Sequence, residues 1–211
     1  MQCNELFDLT HSLLGEVLYG RLPWEVLPHL KGWLWHLGET LEKEGYHQVE
    51  PGVLVSSSAS IAPTACLVPP AIIGEESVVR HGAYLRGGVL LGRGCVVGNS
   101  SEVKNAILFD EAKAPHFNYI GDSILGYRTH LGAGAVLSNV RCDKREVRIP
   151  LSPPVPTGLT KVGGFLGDGC EVGCHAVINP GSILGKGCMV YPLTSVSGVY
   201  AAGTRIGGKH G

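Results

Sequence analysis

VSSSASIAPTACLVPPAIIGEESVVRHGAYLRGGVLLGRGCVVGNSSEVKNAIL, residues 55–108, decides the fold. Taking every sixth residue from Val55 gives Ile61, Leu67, Ile73, Val79, Leu85, Leu91, Val97 and Val103, each Val, Ile or Leu. Four residues after each sits a mostly small partner: Ala59, Ala65, Ala71, Ser77, Ala83, Val89, Cys95 and Ser101, with Ile107 the one bulky member. With about a quarter of the chain being these aliphatics, such a run in one phase has a chance on the order of 10⁻⁵, so it is a repeat. A six-residue unit with an inward aliphatic residue and an inward small residue suits a triangular coil. Three units make one turn, and each turn rises about 4.8 Å as neighbouring strands pair. Residues 55–108 then form three coils. Leu166, Val172, Ile178, Leu184, Val190 and Val196 carry the same rule through a second run, 160–201. The expected fold is mainly β, a parallel β-helix shaped as a triangular prism, spanning 51–203.

The first fifty residues differ in period. Val26, Leu27, Leu30, Trp33, Leu34, Leu37 and Leu41 recur at steps of three and four, with Glu39, Glu42, Lys43 and Glu44 toward the end, which predicts an amphipathic helix. Pro23 and Pro28 suit first-turn positions, and Leu6 to Leu18 predicts an earlier helix stopped at Gly20. Residues 1–50 are therefore expected to be helical, capping the open edge of the first coil, and 204–211 to be a tail. Trp24, Trp33 and Trp35 all lie in the helical part, where packing against the repeat or a neighbouring chain is expected.

Composition excludes several classes. Seventeen basic and eighteen acidic residues leave no basic stripe for a nucleic-acid backbone. No stretch approaches a membrane span, and the first twenty residues lack the pattern of a secretory signal, so a cytoplasmic protein is expected. Cys95, Cys170 and Cys188 occupy small-residue positions of the repeat, which suits reduced, space-filling thiols. Cys170, Cys174 and His175 lack a second ligand pair, and no metal is expected.

The repeat is interrupted twice, over 108–124 and 139–160, and both segments are expected to leave the prism as loops. Long irregular segments in a compact repeat are usually functional. Around them fall Arg86, Glu102, Lys104, His116, Tyr119, Asp122, Asn139, Lys144 and Arg145. Arg86 and Lys104 differ by one coil of eighteen residues and should stack. Two stacked cations make sense with a phosphate between them, or as solvated charges pointing apart.

Here the residues resemble a known family. LRGGVLLGRGCVVGNSSEVKNAIL, HFNYIGDSILG and LGAGAVLSN are similar to the acetyltransferase domain of the bifunctional enzymes that make N-acetylglucosamine-1-phosphate and couple it to a uridine nucleotide. The similarity runs without a gap from Leu85 to Asn139 and more loosely from Phe165 to about Val199. It implies a left-handed helix, since the general crossover rule predicts the opposite hand. It also implies acetyl-coenzyme A as co-substrate, a phosphorylated amino sugar as acceptor, and a homotrimer with sites between neighbours. By residue, it implies His116 as catalytic base with Asn139 helping to hold base and acyl group. Arg86, Lys104 and Tyr119 would hold the sugar phosphate, with Glu102 beside them and Lys144 or Arg145 as a further phosphate cation. Residues matching Cys174 and Pro192 would lie against the coenzyme, and, read from the residues themselves, Gly132-Ala133-Gly134-Ala135 allows a cofactor to approach the backbone closely at Gly134 and Ala135. Chemistry agrees on one point: an amine attacking a thioester must lose a proton, and histidine is poised to take it near neutral pH.

The sequence also departs from the family. His130 replaces an Asn that contacts sugar, Val140 replaces an aromatic residue, and the loop carrying the phosphate cation is one residue shorter. Residues 1–50 are too few to encode a uridyltransferase domain. Two other readings compete: a non-catalytic regulatory or scaffolding trimer, and a zinc lyase of the carbonic anhydrase type using His81, His116 and His130.

Overall fold

A computed structural model describes residues 1–41 and 44–208. The chain is mainly β, a parallel β-helix whose coils pass through three sheets in turn, here called A, B and C. The first coil supplies Val53–Ser56 to A, Ser60–Ile61 to B and Cys66–Val68 to C. Sheet A has nine strands, B eight and C seven. The inward residues form one column of Val, Leu, Ile, Ala and Cys, including Val55, Ile73, Leu85, Leu91, Cys95, Val97, Val103, Leu131, Leu166 and Val190. Burying each large aliphatic side chain contributes about 1.5–3 kcal/mol. Stacked identical positions make this core continuous from coil to coil.

The repeat persists through 108–124, which does not leave the prism. Lys113–His116 is a strand of B, Tyr119–Gly121 a strand of C, and Ile124–Leu125 a strand of A. The phase slips because the coils shorten. Leu91 pairs with Leu108, and Ile107 pairs with Ile124, each a step of 17 residues. The lost residue is at the C-to-A corner, where Gly87 and Gly88 give way to Asn105 alone, and then to Asp122 alone. That explains the bulky Ile107: Ala106 has moved to the inward position, and Ile107 faces out of the prism.

The helical region also differs from expectation. The predicted helix from Leu6 to Leu18 is broken into Cys3–Leu6, a 3-10 turn at Leu9–His11, and Gly15–Leu18. The chain doubles back so closely that a Cβ on Gly15 would lie 2.1 Å from the Leu9 carbonyl oxygen. Pro23–Val26 follows with its proline in the first turn, then the long helix Leu30–Leu41. Glu42 and Lys43 lie outside the described residues.

These helices do not cap the first coil. They lie along the outer face of sheet A, where Leu6, Leu18, Leu30 and Leu34 pack on Leu54, Ile72, Leu90, Ile107 and Ile124. Trp24 joins this layer 6.4 Å from Phe165, whereas Trp35 is half exposed beside Gly52. The edge of sheet A is covered instead by Tyr46–Glu50, antiparallel to Val53–Ser56.

The segment 139–160 leaves the coil but folds back as a small hairpin, Arg148–Ile149 with Val155–Pro156, burying Val147 and Ile149 in the same outer layer. At the far end Arg205–Ile206 pairs with Met189–Val190, so sheet B runs into the segment read as a tail. Residues 209–211 lie outside the description. Among the described residues no helix is long and apolar enough to cross a membrane.

One carboxylate ties the first residues to the prism. Asp168 accepts from the Asp8 N–H at 2.7 Å and the Tyr127 N–H at 2.9 Å, and pairs with Lys186 at 2.9 Å. Asp168→Ala is expected to cost about 1–3 kcal/mol by leaving these donors unmet. Limited proteolysis should then cut the first twenty residues faster than in wild type while the repeat resists. The seven cysteines are free, with Cys66, Cys142 and Cys174 exposed. Burial pushes the Cys3 and Cys95 thiols up to about 12. Since the thiolate is the nucleophile, iodoacetamide at pH 8 should label the exposed three and spare Cys3 and Cys95. Intact-protein and peptide mass spectrometry reads this directly.

Candidate active site

The candidate residues fall on one edge of the prism, one face, and the opposite edge. The edge between sheets B and C carries His116, Gly134, Cys174 and Pro192, each at the B-to-C turn of successive coils. The turns are hydrogen-bonded in series: Gly134 N–H to His116 O at 3.1 Å, His175 N–H to Ala133 O at 2.9 Å, and Leu193 N–H to Cys174 O at 2.9 Å. His116 closes the strand Lys113–His116 and is exposed. It is therefore held by a strand end, not by an extruded loop. Among the described residues its imidazole has no hydrogen-bond or ion-pair partner.

The backbone around His116 is fixed from inside. Buried Asn118 accepts the His116 N–H at 3.1 Å and donates to Gly132 O at 2.8 Å and Ala135 O at 3.3 Å. Its own N–H goes to Ser101 Oγ at 3.1 Å. Next to His116, Phe117 adopts φ +36 with its ring 6.0 Å from that of His175. Gly134 lies beneath both: a Cβ there would sit 2.5 Å from His175 Nδ1 and 3.1 Å from the Phe117 ring. Gly134, Cys174 and Pro192 are accessible along this edge, but Ala135 is not, because it points into the core.

The face of sheet C carries the residues expected to bind phosphate. Arg86 and Lys104 do stack, on adjacent strands Tyr84–Arg86 and Glu102–Lys104. Neither needs a phosphate to relieve repulsion, however. Arg86 pairs with Glu102 at 2.7 Å, and Lys104 with Asp122 at 2.9 Å. The Glu102 carboxylate raises the Arg86 pKa further. Tyr119 stands beside Glu102 on the next coil. Its hydroxyl is pushed up by burial, then by the charges of Glu102 and Asp122, so it stays a neutral donor.

On the opposite edge, between C and A, the Tyr119 hydroxyl donates to Asn139 Oδ1 at 3.4 Å, while Asn139 Nδ2 donates to Asp122. Gly121 makes this possible, since a Cβ there would lie 2.7 Å from both Tyr119 Oη and Asn139 Nδ2. His116 and Asn139 thus stand at opposite ends of the sheet C face, separated by the strand Tyr119–Gly121. Six residues of nearly extended chain put roughly 15 Å between the two edges.

Other candidates lie elsewhere. His130 faces outward from sheet B and pairs with Glu171 at 3.0 Å. Lys144 and Arg145 are exposed on the 139–162 excursion. His81 bonds Thr64 Oγ1 at 2.6 Å, so His81, His116 and His130 do not converge. Among the described residues no group of three His, Cys, Asp or Glu is placed to hold a metal ion. The roles of Asn118 and Gly121 escaped the sequence reading. The signal available was Asn118 at a position where the repeat demands a small inward residue.

The model of the GMPPB C-terminal domain matches residues 67–150. A bifunctional sugar-1-phosphate nucleotidylyltransferase/acetyltransferase of Sulfurisphaera tokodaii is 33% identical over 94 residues, covering 44% of this chain and 23% of that protein. The bifunctional protein GlmU of Methanocaldococcus jannaschii is 32% identical over 91 residues, 43% of this chain and 22% of that one. The chain spans about a quarter of the length of these relatives. Among solved structures, the UDP-N-acetylglucosamine O-acyltransferase LpxA of Moraxella catarrhalis aligns with 74% of this chain and 66% of its own, at 15% identity and a TM-score of 0.35. The matches to the bifunctional enzymes fall in their C-terminal acetyltransferase region, and over that stretch the chain is similar to them.

Proposed function

We propose that the protein is a coenzyme A-dependent N-acyltransferase acting on a phosphorylated amino sugar, as a cytoplasmic homotrimer. The observation that carries this is the edge on which exposed His116 is aligned with Gly134, Cys174 and Pro192, flanked by the Arg86, Lys104 and Tyr119 face. An extended thioester donor along that edge brings its carbonyl carbon to His116. The amine nitrogen of the acceptor attacks that carbon, and the imidazole takes the proton the nitrogen loses. The C–S bond then breaks, the acyl group stays on nitrogen as an amide, and the thiolate leaves with a proton returned from the imidazolium. Arg86 receives the phosphate by exchanging its exposed partner Glu102. Asn139 acts from a neighbouring chain, because its own chain sets it at the far edge.

A second reading, a non-catalytic regulatory or scaffolding trimer, is favoured by the carboxylates that already neutralise Arg86 and Lys104 and by the His130–Glu171 pair. Thiol release from acetyl-coenzyme A, measured with glucosamine-1-phosphate and other amino-sugar phosphates, separates the two. Acceptor-dependent release supports the transferase. Tight binding of the sugar phosphate without release supports the scaffold.

A further inference from the structure

The C-to-A corner holds a polar cluster that none of the roles above explains. Asp122 is 4% exposed and sits at φ +46. Its carboxylate gathers side chains from the coils on either side of its own: Lys104 Nζ at 3.1 and 2.9 Å and Asn105 Nδ2 at 2.9 Å from the coil before, and Asn139 Nδ2 from the coil after. Its backbone oxygen accepts the Gly163 N–H at 2.7 Å, where the excursion that began at Asn139 rejoins the prism.

We infer that Asp122 is a positioning residue that fixes how Lys104 and Asn139 face the substrate side of sheet C. The inference rests on the transferase reading for its purpose, and on the cluster for its geometry. A carboxylate can only accept hydrogen bonds, so Asn139 must turn its NH₂ toward Asp122. Its carbonyl oxygen is thereby presented to the Tyr119 hydroxyl and the face beyond. The carboxylate also offsets the Lys104 charge and occupies part of its three N–H donors. Lys104 then acts as a directed donor, and Arg86, with its exposed and exchangeable partner, is the cation free to attract phosphate. The one-residue shortening of the coil is what builds the cluster, because it replaces a flexible Gly-Gly corner by Asn105 and then Asp122.

Asp122→Asn removes the charge and lets the Asn139 amide turn over. Two measurements test it on the full chain. Competitive labelling with trace acetic anhydride, read by mass spectrometry, should show Lys104 about tenfold more reactive in the variant than in wild type, relative to Lys161. Turnover with glucosamine-1-phosphate should fall about tenfold in kcat with KM changed less, whereas the same Asp122→Asn change made in an Asn139→Ala background should cost less than about twofold more. Unchanged Lys104 labelling, or a fully additive double variant, overturns the inference. Asp122→Glu serves if the Asn variant fails to fold: it keeps the charge and should leave Lys104 protected while lowering kcat non-additively with Asn139→Ala. If wild type turns over no amino-sugar phosphate, the transferase reading fails and the labelling result alone still decides whether Asp122 holds Lys104.

Discussion

His116→Ala is expected to lower kcat in the proposed reaction of acetyl-coenzyme A with an amino-sugar phosphate by about 10²- to 10⁴-fold, the usual worth of a positioned general base. KM for both substrates changes little, because the imidazole is asked to take a proton in the transition state and not to hold either ground state. Stability should be almost unaffected: the side chain is exposed and, among the described residues, unpartnered. Circular dichroism and a thermal melt matching wild type, together with the rate loss, give the expected pattern. Normal turnover in the variant removes His116 from the mechanism.

Gly98→Ala is expected to be the most damaging single methyl group in the prism. Gly98 lies in the strand Val96–Asn99, whose partners Val97–Ala114 and Asn99–His116 leave it opposite Pro115. A Cβ there would come within 1.6 Å of the Pro115 carbonyl oxygen. Backbone, not a movable side chain, blocks it, so two coils must separate at a cost of about 3 kcal/mol or more. The displaced residues are those that carry His116, so activity falls together with stability. Urea unfolding should show a lowered midpoint and kcat should drop in the folded fraction. A midpoint unchanged from wild type contradicts the close stacking of these strands.

The inward column of the prism was legible because side chains at six-residue spacing must repeat their environment. The outer layer was less so, although its signal is present: VLV at 53–55, AII at 71–73, VLL at 89–91 and AIL at 106–108 are apolar at every position. A strand facing solvent on one side alternates, whereas unbroken runs mark burial on both faces. That pattern points to the cover the helices provide over sheet A. The slip after Leu108 was visible as a broken period, but its meaning was not. One missing residue at a corner preserves the coil and changes its phase, while a true loop, such as 139–162, leaves the coil and returns. Sequence spacing cannot separate these without knowing which strands pair.

The site divides in the same way. Stacking of Arg86 on Lys104 follows from an eighteen-residue coil, and the structure has it. Their carboxylate partners do not follow, since Asp122 reaches Lys104 only because the intervening coil is short. Residues of one motif, His116 and Tyr119, turn out to open onto an edge and a face. Asn139, twenty positions beyond Tyr119, returns to meet it across the next coil.

In the proposed trimer the acyl-transfer site is completed by two chains, with His116 from one and Asn139 from its neighbour. Co-assembly of His116→Ala chains with Asn139→Ala chains, each nearly inactive alone, tests it most directly. Random mixing in a cyclic trimer leaves about a quarter of the sites with both native residues, so about a quarter of wild-type thiol release should return. No recovery in mixed trimers whose composition is verified by native mass spectrometry would contradict a site shared between chains.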